Sequence, residues 1–169
     1  QDACSAPVHP SQPEMGRRQF SMGNEVWIER GDFEETPPKG FFRLYPGNKV
    51  RLKYGHVIEC TGCTKDDEGR VVSVQAMLVP DTKSGTPGSD LVKVKGVITW
   101  VGVADGVVAE VRLYERLFNE PQPDAGGRDF LASLNPNSLR IVQAVVEPSL
   151  AQAHADDKFQ FERHGYFVA

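Results

Sequence analysis

The stretch KVRLKYGHVIECTGCTKDDEGRVVSVQAMLV, Lys49 to Val79, decides the fold class. Over Lys49 to Thr61 the residues alternate: Val50, Leu52 and Tyr54 point one way and Lys49, Arg51 and Lys53 the other, the period-2 pattern of a half-buried strand. Asp66-Asp67-Glu68-Gly69 is a turn signal. Arg70 to Val79 is β-branched and apolar enough to return as the antiparallel partner, so a hairpin is predicted.

Moving outward, Glu25 to Arg30 alternates around Val26 and Ile28. Asp81 to Asp90 is a Gly/Ser/Pro-rich surface loop, and Val92 to Val101 resumes alternation. Val107 to Phe118, Leu139 to Glu147 and Lys158 to Val168 complete a count of about seven or eight strands, the number and spacing of barrels or a sandwich. Two short helices are predicted, near Asp129 to Leu134 and near Ser149 to Ala155, the second with Ser149 as its cap. Pro7, Pro10 and Pro13 keep the first stretch extended, and it reads as a strap outside the core. Trp27, Trp100, Tyr114 and Phe118 are assigned to a barrel core or a seam.

The chain has 169 residues, 40% of them hydrophobic and 25% charged, and no apolar run approaches the ~18 residues of a membrane span. Its formal net charge of -4 argues against a protein that coats nucleic acid by bulk electrostatics. The charge is uneven, however. Pro38 to His56 carries Lys39, Arg43, Lys49, Arg51 and Lys53 and no acidic residue, a basic stripe on an acidic chain. Three cysteines, Cys4, Cys60 and Cys63, are too few for a disulfide framework and fit a reducing, cytoplasmic setting. His56, Cys60 and Cys63 form H-x3-C-x2-C, with Cys4 or His9 as further donors. One CxxC without a second pair is a weak metal signal, and the cysteines read as buried or surface free thiols with no metal assigned. The start at Gln1, without an initiator Met or a signal-like segment, reads as a fragment or a tagged chain.

The segments HPSQPEMG (His9 to Gly16), EVWIERGDF (Glu25 to Phe33), VKGVITWV (Val94 to Val101), VRLYERLF (Val111 to Phe118) and FQFERHGYF (Phe159 to Phe167) resemble, in the same order, the C-terminal half of class I glutaminyl-tRNA synthetases. The resemblance implies an all-β fold of two antiparallel β-barrels, proximal and distal, with one or two short helices. It implies a strap at residues 1–22, a distal anticodon-binding barrel at 23–105, and a proximal barrel at 106–169 that lacks its final strand. The implied partners are the anticodon loop of tRNA(Gln) and the catalytic domain of the same chain, with no membrane and no DNA. ATP with Mg belongs to the parent enzyme, which the resemblance makes a class I aminoacyl-tRNA synthetase that joins glutamine to its tRNA. The HIGH and KMSKS signatures that hold ATP do not occur here, so no catalytic residue and no cofactor is expected in this stretch.

The site residues are carried over by position. Arg51 and Lys53 match the paired basic positions for the first anticodon base and its phosphate. The second is commonly Arg in the family, and a lysine keeps the charge without the planar fork. Taken alone, such a K-x-R-x-K strand reads equally well as a solvated cationic face. Arg43 matches a cation near the third base, preceded here by Phe42 where the family has Lys. Gln160 and Glu162 lie two apart on an outer face, with Phe159 and Phe161 inward. In the resemblance these two and Arg163 enclose the middle uracil: an amide offers donor and acceptor, a carboxylate accepts from N3-H, and a cation holds an oxygen or phosphate. Arg163 has inward parity by simple alternation, and Gly165 is expected to mark a bulge that turns it. In isolation the trio would be a surface pair between Glu162 and Arg163. The alternatives are the eukaryotic/archaeal-type glutamyl-tRNA synthetase, against which VRLYERLF and FQFERHGYF speak, and a non-enzymatic β-barrel RNA-binding module. A zinc-stabilised interaction domain is a distant third.

Overall fold

The structure is a computed structural model that describes residues 1–169. The chain is all-β, built from strands and a few single-turn 3₁₀ segments. In chain order the strands are β1 (Asp2–Pro7), β2 (Arg17–Met22), β3 (Val26–Ile28), β4 (Lys49–Leu52), β5 (Val57–Lys65), β6 (Val71–Leu78), β7 (Gly96–Ile98), β8 (Trp100–Gly102), β9 (Val107–Tyr114), β10 (Leu139–Val146), β11 (Lys158–Phe161) and β12 (Gly165–Val168). They divide into two compact units, residues 1–106 with 147–169, and residues 107–146.

In the larger unit a four-stranded sheet runs β6-β5-β4-β7, flanked by the pairs β1-β2, β3-β8 and β11-β12. Pairing is antiparallel except between β4 and β7, where Val50, Arg51 and Leu52 lie beside Gly96, Val97 and Ile98 in parallel register. The predicted hairpin is β5-β6, closed by Asp66 to Gly69. There the Asp66 carboxylate accepts from the Glu68 and Arg70 amides, and Gly69 takes the left-handed φ of 79° the turn requires.

Three of the predicted stretches are interrupted and split into shorter strands. Lys49 to Thr61 is two strands: Tyr54 adopts φ 60°, the Leu52 amide donates to the His56 carbonyl, and Gly55 donates back to Leu52. The turn is pinned beneath Trp100, whose indole N–H donates to the Lys53 carbonyl at 2.8 Å. Val92 to Val101 breaks at Thr99 into β7 and β8. Lys158 to Val168 is a hairpin, β11-β12, and the turn places Arg163 at φ 67° and Gly165 at φ 144°. Gly165 thus closes a turn and does not mark a bulge. These splits raise the strand number above the expected count.

The first stretch is also more than a strap. β1 and β2 pair in register from Asp2 with Met22 to Pro7 with Arg17, and Cys4 and Ala6 are buried. Phe20 meets Trp100 edge to face at 5.5 Å. The core gathers Cys4, Phe33, Leu44, Val50, Leu52, Ile58, Cys60, Ile98 and Trp100. Each fully buried aliphatic there contributes about 1.5–3 kcal/mol. Trp27 is 54% exposed and stands outside this core, because its neighbours Val26 and Ile28 take the inward parity of β3.

The smaller unit is the antiparallel pair β9-β10, with Val107 opposite Val146 and Tyr114 opposite Leu139. Tyr114 lies on the open face of β9 and is 74% exposed, so it too is not a core residue. Phe118 packs edge to face on Phe130 at 6.3 Å. The predicted helix here is a single 3₁₀ turn, Phe130–Ser133, whose cap Asp129 accepts from the Leu131 amide. In the larger unit the other predicted helix is Pro148–Gln152, one residue earlier than expected, so Ser149 lies inside it and provides no cap.

Candidate nucleic-acid interface

Two turns distant in sequence meet in the larger unit. The β4-β5 turn carries Lys53, the β11-β12 turn carries Glu162, and their side chains form an ion pair across a separation of 109 residues. Lys53 also lies 5.4 Å from the Tyr54 ring centroid, and Arg18 approaches the same ring at 6.0 Å. Arg18 is itself anchored by Glu147 at 2.6 Å. Glu162 therefore pairs with Lys53 and not with its neighbour Arg163.

Arg163 turns instead onto Asp32, which is completely buried. Its Nη1 and Nη2 donate to the two carboxylate oxygens at 2.6 and 2.7 Å, and Nη2 also donates to the Thr99 hydroxyl at 2.9 Å. This fork is the geometry for which guanidinium and carboxylate are matched, and it holds the arginine proton even more tightly than usual. The left-handed backbone at Arg163 costs on the order of 1 kcal/mol and is what aims the side chain inward despite its place in a turn. His164 Nε2–H donates to the Glu29 carboxylate at 2.8 Å, closing the flank.

Arg43 reaches the same carboxylate. Its Nε lies 3.4 Å from Asp32 Oδ1, and its Nη1 donates to the Gly31 carbonyl at 3.1 Å. The backbone fixes this arrangement as well: the Leu44 amide donates to the Asp32 carbonyl at 2.9 Å, and Phe33 bridges Leu44. Phe42 is 53% exposed, with the Lys95 ammonium 5.0 Å from its ring.

Gln160 is exposed on β11, opposite Tyr166 of β12, whose ring is 84% exposed. Arg51 is placed differently from the outward reading. Its side chain is only 14% exposed, because its guanidinium donates to the carbonyls of Gly55, Thr82 and Ser89 and to the Ser84 hydroxyl. It staples the 82–90 loop against β4, with Thr82 accepting from the Val57 amide beneath it.

Lys53 and Glu162 thus form one pair, Arg163 and Arg43 share Asp32, and Gln160 lies on the same hairpin as Glu162 and Arg163; Arg51 stands inside a carbonyl cage. Asp32, Thr99, Tyr54 and Tyr166 belong to this surface or its support, and none of them is assigned to a site from the sequence. The H-x3-C-x2-C residues are dispersed. His56 pairs through Nε2 with Asp2 at 2.7 Å, Cys60 is buried and its thiol pushed up by burial, and Cys63 is half-buried. No group of three or more His, Cys, Asp or Glu side chains is placed to hold a metal ion. No helix is long and apolar enough to cross a membrane.

Residues 1–79 and residues 97–169 each match a family model described as tRNA synthetases class I (E and Q), anti-codon binding domain. Over 168 residues, 99% of this chain, it is 67% identical to the glutamine--tRNA ligase of Ralstonia pickettii and 64% identical to that of Cupriavidus necator. It is 58% identical over 167 residues to the glutamine--tRNA ligase of Bordetella pertussis. The chain spans 29%, 29% and 28% of the length of these relatives.

Proposed function

The chain belongs to the anticodon-binding domains of class I (E and Q) tRNA synthetases, and from this we propose that it reads the anticodon loop of tRNA(Gln) for a glutamine--tRNA ligase. In that reading the parent enzyme, acting in the cytoplasm, attaches glutamine with ATP and Mg through a catalytic domain of the same polypeptide, and residues of this stretch touch neither. Residues 23–105 serve as the distal barrel, and residues 106–169 with the strand pair at the N-terminal end serve as the proximal one.

The observation that carries the reading is the convergence of Lys53, Glu162, Arg163 and Arg43, drawn from three separate segments, on one surface. Such a surface combines the cations, amide and carboxylate that a splayed, single-stranded base needs. Gln160 and Glu162 frame the middle uracil, with Glu162 accepting from N3-H once it leaves Lys53. Arg163 offers the donors that Asp32 and Thr99 leave free. Arg43 faces the third base, where glutamine and glutamate anticodons differ. Lys53 takes the first base and its phosphate. Arg51, held by three carbonyls, contributes to that subsite through the positive field of its charge and by shaping the loop.

The test is kinetic. Gln160→Ala and Glu162→Ala in the full-length ligase should lower aminoacylation efficiency with the cognate tRNA and narrow its preference over a tRNA altered at the middle base. Unchanged kinetics with both tRNAs would refute the assignment.

A further inference from the structure

We propose that Asp32 is a shared positioning residue that couples the reading of the middle and third anticodon bases. The inference rests on the anticodon-binding reading above and deepens it. One carboxylate, with no exposed surface, receives both arginines assigned to those bases: Arg163 by two hydrogen bonds at 2.6 and 2.7 Å, Arg43 at 3.4 Å on the same Oδ1. No other cation reaches Asp32, and its backbone carbonyl is occupied by the Leu44 amide.

A guanidinium has five N–H donors. Arg163 spends one on each Asp32 oxygen and one on Thr99, which leaves its remaining donors pre-aimed and available to RNA. A base that displaces the β11-β12 turn withdraws Arg163 from Asp32. A buried carboxylate stripped of its main partner is strongly unfavourable, so Asp32 then draws harder on Arg43 and moves it from its place at the third base. The effect is reciprocal, as any coupling between two binding sites is. Once one wrong base has broken the anchor, a second wrong base has less left to lose.

The experiment uses this chain and anticodon stem-loop hairpins in a double-mutant cycle: the cognate loop, a middle-base change, a third-base change, and both. With the unaltered protein, the doubly changed loop should bind about tenfold more tightly than the product of the two single losses predicts. Asp32→Asn keeps the shape and one acceptor for Arg163 but removes the charge, and it should bring the cycle to within about twofold of additivity. A second measurement needs no variant. The Arg43 Nε–H resonance of the unaltered protein should shift when the cognate hairpin is exchanged for the one changed only at its middle base.

Additivity in the unaltered protein, a tenfold departure that persists in folded Asp32→Asn, or an unmoved Arg43 resonance would each overturn the coupling. In all three cases the anticodon reading itself stands, because each single base change is still discriminated. Failure to discriminate either single change would remove that reading and the coupling with it.

Discussion

Arg163 and Asp32, 131 residues apart in the chain, are joined by two hydrogen bonds of 2.6 and 2.7 Å, and the carboxylate is wholly buried. This pair ties the β11-β12 turn to the segment that leads from β3 to β4. Arg163→Ala leaves the Asp32 charge without its main partner. Removing one member of a buried pair costs several kcal/mol, and the one-third exposure of Arg163 places this case at about 2–3 kcal/mol. Urea denaturation should show a lower midpoint at unchanged slope, and Asp32→Asn added to Arg163→Ala should recover part of the loss.

Glu162 occupies Lys53 in the unbound chain, so two groups assigned to RNA neutralise each other. Glu162→Gln releases the lysine. Its effect on RNA binding should be twofold: stronger attraction to any loop, with the salt dependence of log Kobs steeper by about one phosphate contact, and weaker preference for a middle uracil. Titrations over a salt series measure both.

Gly96 in β7 has no room for a side chain. A Cβ there would lie 2.0 Å from the Phe42 carbonyl oxygen and 3.0 Å from Val50 Cγ1, both part of packed backbone or core. Gly96→Ala must push the segment carrying Phe42 and Arg43 off the sheet, a forced overpacking that costs about 1–3 kcal/mol. Thermal unfolding reads the loss of stability, and faster amide exchange at Leu44 reads the displaced segment.

Asp2 receives His56 Nε2 at 2.7 Å and the Lys83 ammonium at 3.0 Å. The His56 hydrogen bond, followed by Lys83, holds its carboxyl below the ordinary 3.8. A depressed folded pKa contributes stability that is present above the unfolded value and lost as pH falls through the folded one. The loss therefore lies below about pH 4. Asp2 is half exposed, so the effect is modest and screened by salt. Amide protection factors along β1, taken relative to the intrinsic rate at each pH, should fall below that pH, and Asp2→Asn should remove the acid dependence while loosening β1 at neutral pH.

How far the sequence disclosed this molecule depends on the range of the interaction involved. Period-2 alternation and the Asp66 to Gly69 turn are local, and β5-β6 was legible from them. The break at Tyr54 was not, because a tyrosine in the left-handed region has no pattern of its own and is stabilised by Trp100, nearly fifty residues on. Lys53, Gln160 and Glu162 were carried over by position, and all three side chains reach solvent. Arg51 has the same parity as Lys49, yet the 82–90 loop returns over β4 and offers carbonyls to its guanidinium, a tertiary event invisible to alternation. Asp32 is the clearest omission. A single carboxylate between Gly31 and Phe33 reads as a turn residue until a distant arginine is found on it.

The most direct test of the central claim is filter binding of this chain to tRNA(Gln) and to the same tRNA with its anticodon replaced, across a salt series. The account predicts weak, salt-sensitive binding, with log Kobs falling linearly in log salt, and a loss of about tenfold or more on replacing the anticodon, since base contacts carry the discrimination. Equal affinity for the two RNAs at every salt concentration would contradict it.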